Sequence, residues 1–484
     1  MQKTAKKKKK KSECSSASAE ENSLFIRVVC IAAAIVLLCG VVTIGAMNLI
    51  CTDELYTTYK TAFAASSVVK GIAVIAAVIL AVVIIYRFSE NRKFYIAILI
   101  LSFCVRILVA LFWKIEPDSD FKITYELGKL IAHTPLMECG KALDNYGTNY
   151  NSIWAVHMPF VVYQSMLLRL WNNAGILRIA NAFFSFGSCL LISETAGAIG
   201  GQKAKRMALT FTAFNPTIIF FIPILTNQHI SQFFLVLGIW LFMSERISNV
   251  YIRAWIAGLC FGISQLMRPD IALIIAAIVV YLIFSCIRNG NAAYKITVFA
   301  AFICVFLAVI VAMNTFLTSA HTIHGNIYSG NLNYKIMVGL NSDTNGSWSA
   351  SDSGLEGNSE AINAMIKARL AVNPLKLIPR LFGKSVYQLG SYVYTWSFRS
   401  ESEWISQIIM RRGGTALMLI VSVLAAWNML FKRQHKLIIM YMVTAVFAAV
   451  YAVIEVQSRY NFILIPILII IASANFAERN KING

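Results

Sequence analysis

The sequence predicts an all-α membrane protein that crosses the bilayer many times, and three observations carry that expectation. Hydrophobic residues make up 58% of the 484 and charged residues only 14%, against roughly 25% charged in ordinary soluble domains. One apolar run follows another, each close to the roughly 20 residues that cross a hydrocarbon core. Short basic clusters separate alternate runs, the pattern of cytoplasmic loops. The formal net charge of +20 does not point to nucleic acid. Much of it sits in Lys3, in Lys6 to Lys11 and in the short loops between runs, where membrane lipid is the expected partner.

Residues 1–22 are Lys-rich and then rich in Ser and Glu. They hold too little apolar surface to fold and read as a disordered cytoplasmic tail. The run from about Leu24 to Ile50 is too long for a signal-peptide core and reads as an uncleaved first span. Further spans are predicted near 66–86, 94–115, 178–197, 206–224, 229–245, 252–267, 270–287, 295–317, 413–431, 436–454 and 460–477. That makes about twelve transmembrane helices, with both termini cytoplasmic and the chain a multi-pass protein of the cell membrane. The expected organisation is a tail (1–22), a two-span extension (23–93), a core (94–317) with a polar loop at 116–177, a small external cap (318–412), and C-terminal helices with a short tail (413–484).

One segment decides the topology. Residues 156–171 are apolar but short, and His157, Gln164 and Arg169 interrupt them, which suits a helix lying in the interface. On that reading Lys203, Lys205 and Arg206, Arg246 with Arg253, Arg288 with Lys295, and Lys432 to Lys436 all fall in the cytoplasm. If the segment crossed, all would lie outside, against the positive-inside rule. The two large polar regions, 116–177 and 318–412, are therefore expected outside. The first holds an amphipathic helix from Phe121 to Ala132. The second holds the Gly/Ser/Asn/Asp stretch Gly339 to Asn358 and helical patterns at Ala361 to Leu370 and near Leu375 to Tyr394, and reads as a cap on the membrane core.

Several motifs stay weak. The ten cysteines follow no metal or disulfide spacing, and Cys30, Cys39, Cys189, Cys260, Cys286 and Cys304 fall inside apolar runs as packing residues. Cys51 and Cys139 are expected to be exposed outside. His321 and His324 have the spacing of two ligands on one helical face, but no third ligand completes the set. Asp343-Thr344-Asn345-Gly346 resembles the start of a calcium loop without its downstream Glu. No Walker loop, dinucleotide fingerprint or nucleophile elbow is present.

Chemistry is expected where the run from Phe94 to Ile115 ends in Glu116-Pro117-Asp118-Ser119-Asp120-Phe121. A carboxylate costs roughly 2.5–3.5 kcal/mol at a helix centre, so acids at a membrane boundary either form a solvated stop or line a functional cavity. Arg268, in Arg268-Pro269-Asp270, and Arg459, in Glu455-Val456-Gln457-Ser458-Arg459-Tyr460, fall on the same side as these acids. A guanidinium offers paired planar donors that match phosphate oxygens, which suits a lipid head group. Snorkelling, or an Arg268–Asp270 pair, is the plainer account of the same residues.

Taken in order, these motifs carry a resemblance that covers roughly residues 94–475. Pro117-Asp118-Ser119-Asp120-Phe121 with Tyr125 is followed by His157-Met158-Pro159, Asn215-Pro216, Arg268-Pro269-Asp270, Gly339-Leu340-Asn341 with Thr344-Asn345-Gly346, and Arg459-Tyr460 with Pro466. The chain resembles bacterial membrane glycosyltransferases of the GT-C class, similar to glycosyltransferase family 39, which includes protein O-mannosyltransferases and lipid A aminoarabinose transferases. The first two spans stand outside the resemblance. It implies transfer of a sugar, with inversion, from a polyprenyl-phosphate donor to a glycan, lipid or protein acceptor on the external face. By the same resemblance Asp120 is the base, with Asp118 its close competitor, and 116–177 is the catalytic loop. Arg459 and Arg268 then hold the donor phosphate, and Tyr125, His157, Gln228, His229 and Tyr460 contact sugar or acceptor. Similar enzymes often carry an acid in the next short external loop. Here that loop reads Thr226-Asn227-Gln228-His229; Gln228 cannot act as a base, so no cofactor is assigned and a divalent metal stays open.

Two other classes fit the composition. A flippase or transporter of lipid-linked glycans would share the spans and basic loops, with intramembrane charges or an inverted repeat as its mark. A non-catalytic scaffold would need no acidic pair facing two arginines.

Overall fold

The computed structural model describes residues 24–50, 65–146, 149–244, 246–288, 292–328, 332–397 and 405–478, and every regular element among them is helical. The basic tail and Cys51 lie outside the described residues. In chain order the main helices are α1 (Leu24–Ile50), α2 (Ala65–Phe88), α3 (Arg92–Phe112), α4 (Ser119–His133), α5 (Met158–Leu170), α6 (Ala174–Gly200), α7 (Gln202–Ala213), α8 (Gln228–Met243), α9 (Val250–Met267), α10 (Ile271–Arg288), α11 (Ala292–Ser319), α12 (Leu332–Gly339), α13 (Ser359–Leu370), α14 (Pro374–Gly390), α15 (Gly414–Trp427), α16 (Ile438–Tyr451) and α17 (Ile465–Ser473).

Seven helices among the described residues are long and apolar enough to cross a membrane, and shorter apolar helices at Gln228–Met243, Ile271–Cys286, His435–Tyr451 and Ile465–Phe476 stand beside them. Their outer surfaces expose large apolar side chains, such as Leu80 and Val83 on α2, Ile100 and Leu101 on α3, and Val311 on α11. A contiguous apolar exterior of this kind suits a lipid environment. The chain is a helical membrane protein.

Local chemistry sets many helix boundaries. Asn91, Asn173 and Asn249 cap α3, α6 and α9, each side-chain oxygen accepting from a backbone N–H of the first turn, worth about 1 kcal/mol apiece. At the far end of α6 the chain turns through Gly201 at φ +83°, a left-handed conformation that glycine adopts without a Cβ clash. At the centre stands α17, whose nine residues are all buried. Burial on every face, and not its apolar composition alone, shows that this helix is enclosed by protein rather than by lipid.

The N-terminal helix belongs to this core. Ile26, Cys30, Ala33, Leu37 and Val41 of α1 pack in the same cluster as α15, α16 and α17. Gly40 and Gly390 meet where α1 crosses α14, and a Cβ on either would strike the opposing backbone. Small residues permit such close crossings in membrane bundles. By contrast α2 buries only Ser67 and Gly71.

The expected continuous span at 206–224 is broken. Helix α7 ends at Ala213, Asn215 caps a four-residue turn at Pro216–Ile219, and the chain runs irregularly until α8 begins at Gln228. Pro216 lacks the N–H that would continue α7, and the residue before a proline avoids helical backbone. Irregular backbone at this depth requires internal partners. Arg106, fully buried on α3, donates to Ala213 O at 2.8 Å, Thr212 O at 2.9 Å, Ser102 O at 3.0 Å and Ser185 Oγ at 3.0 Å. Asn181 donates to Ile222 O and Ile224 O, both at 3.0 Å.

The polar regions lie over one end of the bundle. Helix α4, helix α5 and the short turns between them bury Leu127, Ile131, Leu143, Met158 and Val161 against Ile230, Leu266, Met267 and Leu317. At 13 residues α5 is about 20 Å long, well short of a roughly 30 Å hydrocarbon core. Cys139 is buried in this cluster, which corrects the expectation of an exposed thiol; the cluster's apolar contacts enclose it. His321 and His324 sit in a turn after α11, with His321 at φ 52° and so off any helical face, and His324 reaches Asp144 at 2.8 Å. Helices α12 and α13 share a small cluster of Tyr334, Met337, Val338 and Ile362, closed by Arg369 on Asp352 at 2.6 Å.

Arg106→Leu removes the donors that close the end of α7. It should lower stability by about 1–3 kcal/mol, the cost of leaving buried polar groups short of donors, read as a depressed thermal midpoint of the purified protein in detergent. An unchanged midpoint would show that Ser102 Oγ, which also donates to Ala213 O at 2.9 Å, and Asn215 N, at 3.5 Å from Thr212 O, satisfy these carbonyls without the guanidinium.

Candidate functional site

Helix α4 begins at the acidic edge, and its first turn separates the two candidate aspartates. Asp118 is the N-cap, its Oδ1 accepting from Ser119 N at 2.8 Å. Ser119 takes φ 53°, an unusual value for a residue with a Cβ. Asp118 lines a recess with Glu116, Phe121 and Trp396. Asp120 instead lines a cavity of about 300 Å3 beyond Phe121.

That cavity gathers residues from distant parts of the chain. Arg268 follows the last turn of α9, and Arg459 and Tyr460 lie on the short helix that precedes α17. His157 stands before α5, and Lys335 lies within α12. All five line the cavity together with Asp120 and Asp270. Leu273, Phe447, Val450 and Ile454 make one wall apolar.

Three acid–base pairs arrange the charge. Arg268 donates to Asp270 through both Nε and Nη2, with the Nε contact at 2.9 Å, and to Asn227 Oδ1 at 3.2 Å. Lys335 Nζ lies 2.6 Å from Glu455 Oε2 and over the Trp154 ring. Glu455 is almost fully buried, and Tyr460 and Gln457 donate to it at 3.0 and 2.8 Å. Burial works against the ammonium, yet Tyr460 and Glu455 hold the Lys335 pKa above its ordinary value. The third pair is loose. Arg459 Nη2 stands 3.5 Å from Asp120 Oδ2, and the Asp120 side chain is 45% exposed. The Arg459 guanidinium lies against the rings of Phe121 and Trp396, at 4.8 and 5.3 Å from their centroids, where the two rings meet edge-on, and its Nε donates to Gln457. Aromatic stacking and one hydrogen bond aim this cation while leaving donors for a ligand.

His157 stacks between Tyr150 and Trp154, at 6.1 and 5.9 Å between ring centroids. Burial pushes its pKa down to about 4; Asp120 opposes this, and Lys335, Arg459 and Arg268 reinforce it. A neutral imidazole beside a carboxylate can accept or donate a hydrogen bond at neutral pH.

The remaining expected residues lie elsewhere. Tyr125 packs against the Leu168, Leu177 and Leu225 cluster under Lys129. Gln228 is buried and accepts from Thr226 Oγ1, while His229 is enclosed by Phe221 and Phe462. From the Thr226–His229 loop, Thr226 and Asn227 reach the cavity wall, and Asn227 also bonds Met267 O at 2.6 Å. No group of three His, Cys, Asp or Glu side chains that could hold a metal occurs among the described residues.

Lys335, Glu455, Asn227, Tyr150 and Trp154 were not singled out in the sequence. Glu455 carries a usable signal, since it ends the apolar run of α16 and stands four residues before Arg459. Lys335 has only a single charge in an otherwise apolar helical stretch to mark it. No protein-family model matches the chain, and no curated protein matches it.

A histidine with a folded-state pKa near 4 and an unfolded value of about 6.5 stabilises the fold fully above pH 6.5. That contribution is lost as the pH falls toward 4. The thermal midpoint of the wild type should therefore drop more between pH 7 and 4.5 than that of His157→Gln. Equal acid sensitivity of the two proteins would mean that His157 titrates at its ordinary value.

Proposed function

We propose that this chain is a membrane glycosyltransferase that moves a sugar from a polyprenyl-phosphate donor to a glycan, lipid or protein acceptor on the external face of the cell membrane. One observation carries the reading: a half-exposed carboxylate, Asp120, shares a cavity with Arg459, Arg268 and Lys335 beside an apolar wall. Donor chemistry asks for those parts, a cationic place for phosphate, apolar surface for the isoprenoid and a base near the sugar.

The loose Asp120–Arg459 pair gives the sequence of events. With no donor the two side chains neutralise each other. A donor phosphate takes over Arg459 through its paired donors, a better match than a single 3.5 Å contact, and frees Asp120. The carboxylate then accepts the proton of the acceptor hydroxyl as that oxygen bonds the anomeric carbon from the face opposite the phosphate. The bond between carbon and phosphate oxygen breaks, and its electron pair leaves on the lipid phosphate, held by Arg459. The configuration inverts. Arg268 is bound to Asp270 on two nitrogens and is the less available cation.

In this reading about twelve segments span the bilayer, the seven long apolar helices, the four shorter ones, and α7 with the broken stretch after it, with both termini cytoplasmic. A unique cysteine at His157, in a background cleared of reactive thiols, should label from outside with an impermeant reagent, while one at Lys203 should not. External labelling at Lys203 would invert the topology.

The chemistry is tested with radiolabelled sugar on polyprenyl phosphate. Asp120→Asn should keep fold and abundance and lower turnover by about a hundredfold to ten-thousandfold. Arg459→Ala should weaken donor use by about tenfold to a hundredfold, with lysine restoring only part. Labelled donor that changes leaflet with no transfer to acceptor would instead make the chain a flippase. Normal turnover in Asp120→Asn, with loss in Asp118→Asn, would move the base to Asp118.

A further inference from the structure

A second cavity, also about 300 Å3, lies at the other end of the same helices. The polar cavity is lined by Arg268, just past the end of α9, and by Leu273 near the start of α10. The second is lined by Met243 at the end of α8, by Phe261 about two turns before the end of α9, by Ile278 farther along α10, and by Phe302 and Val443 in the first half of α11 and α16. Helices α10 and α16 line both. Leu273 and Phe447 face the polar cavity, while Ile274 and Val443, within a turn of them, face the second.

The lining of the second cavity is apolar apart from one end. There Lys295, in the first turn of α11, and Lys436, just before α16, reach its rim. Lys295 Nζ donates to Ser285 Oγ, which holds it at the end of α10, and Lys436 is exposed. Tyr294, also on the rim, is exposed at the same helix end. An apolar lumen beneath two ammonium groups is the shape of a lipid site, with acyl chain inside and phosphate at the edge.

We propose that this cavity binds an anionic glycerophospholipid, with one acyl chain in the lumen between α8, α9, α10, α11 and α16 and its phosphate between Lys295 and Lys436. The two ammonium groups at the rim complement the net negative charge of an anionic head group, which a zwitterionic one lacks. The isoprenoid of a donor seated in the polar cavity would bring its phosphate to the wrong end. The site stands whether or not the chain transfers sugar.

The test uses the full-length chain in neutral detergent, equilibrated with equimolar phosphatidylglycerol, phosphatidylcholine and polyprenyl phosphate, with retained lipid counted by native mass spectrometry. The wild type should retain phosphatidylglycerol over phosphatidylcholine by roughly thirtyfold, the scale of two cations near a lipid phosphate. Lys295→Gln with Lys436→Gln should bring that ratio close to one, and arginine at both positions should restore it. Ile278→Trp, which fills the lumen, should lower retention of both glycerophospholipids together. If Ile278→Trp does not fold, the lysine pair, at the bundle's edge, still decides. No preference in the wild type, a preference unchanged by the double glutamine variant, or polyprenyl phosphate lost on filling the lumen would each overturn the assignment.

Discussion

Backbone that leaves the helix inside an apolar bundle must find every hydrogen-bond partner within the protein, and this requirement shapes the molecule. The stretch from Val453 to Phe462, which carries Glu455, Arg459 and Tyr460, meets it with long polar side chains from other helices. Gln388 donates to and accepts from Gln457 backbone, Lys384 donates to Ile454 O at 3.0 Å, and Gln232 donates to Phe462 O at 2.8 Å. Backbone joins in, with Glu455 N on Lys335 O and Val456 N on Gly346 O, both at 2.8 Å. Burial pushes the Lys384 pKa down to about 8, so this amine is held as a donor to carbonyls with a weakened hold on its proton. The same logic closes the break after α7, where Arg106 and Asn181 serve. Irregular backbone is therefore anchored at the places where the chain turns toward the polar end of the bundle.

Those anchors make the charge of the cavity possible. Each cation on its wall has an acid beside it, and the pairs differ in tightness. Arg268 with Asp270 and Lys335 with Glu455 are short and sheltered, so separating either would strand a charge. Arg459 with Asp120 is longer and open to water, where an ion pair is worth little. On the proposed function the donor phosphate displaces the weak pair, and the two sheltered pairs hold the surrounding frame. Helices α10 and α16 carry this polar end into an apolar one, so one pair of helices serves two cavities of opposite character.

Much of the fold was legible in the sequence because its signals are local. Runs of apolar residues near bilayer length mark α1, α2, α3, α6, α9 and α11. Asparagines before helices, Pro216, and Gly201 mark starts, a break and a turn. The short helix α5 was legible from its length and its polar interruptions. The run at 206–224 misled because hydropathy counts side chains and does not register a missing proline N–H. The N-terminal helix read as an addition, since nothing in its composition tells a lipid-facing span from one that threads the core. That distinction lies in Gly40 meeting Gly390 across more than three hundred residues.

The candidate site divides the same way. Asp120, Arg268 and Arg459 were legible as charges at the ends of apolar runs, where charge near a membrane needs a reason, while His157 and Tyr460 entered the site only through the family resemblance. Asp118 and Asp120 were indistinguishable by spacing, and the first turn of α4 sent one to cap the helix and the other to the cavity. Gln228 and His229 sit beside Asn227 in sequence yet turn into the bundle, since successive helical residues face different ways. Lys335 and Glu455 stand 120 residues apart and acquire meaning only as a pair. Composition and period determine which segments are helical and apolar; which side chains meet is settled by packing between helices far apart in the chain, where no local pattern records the partner.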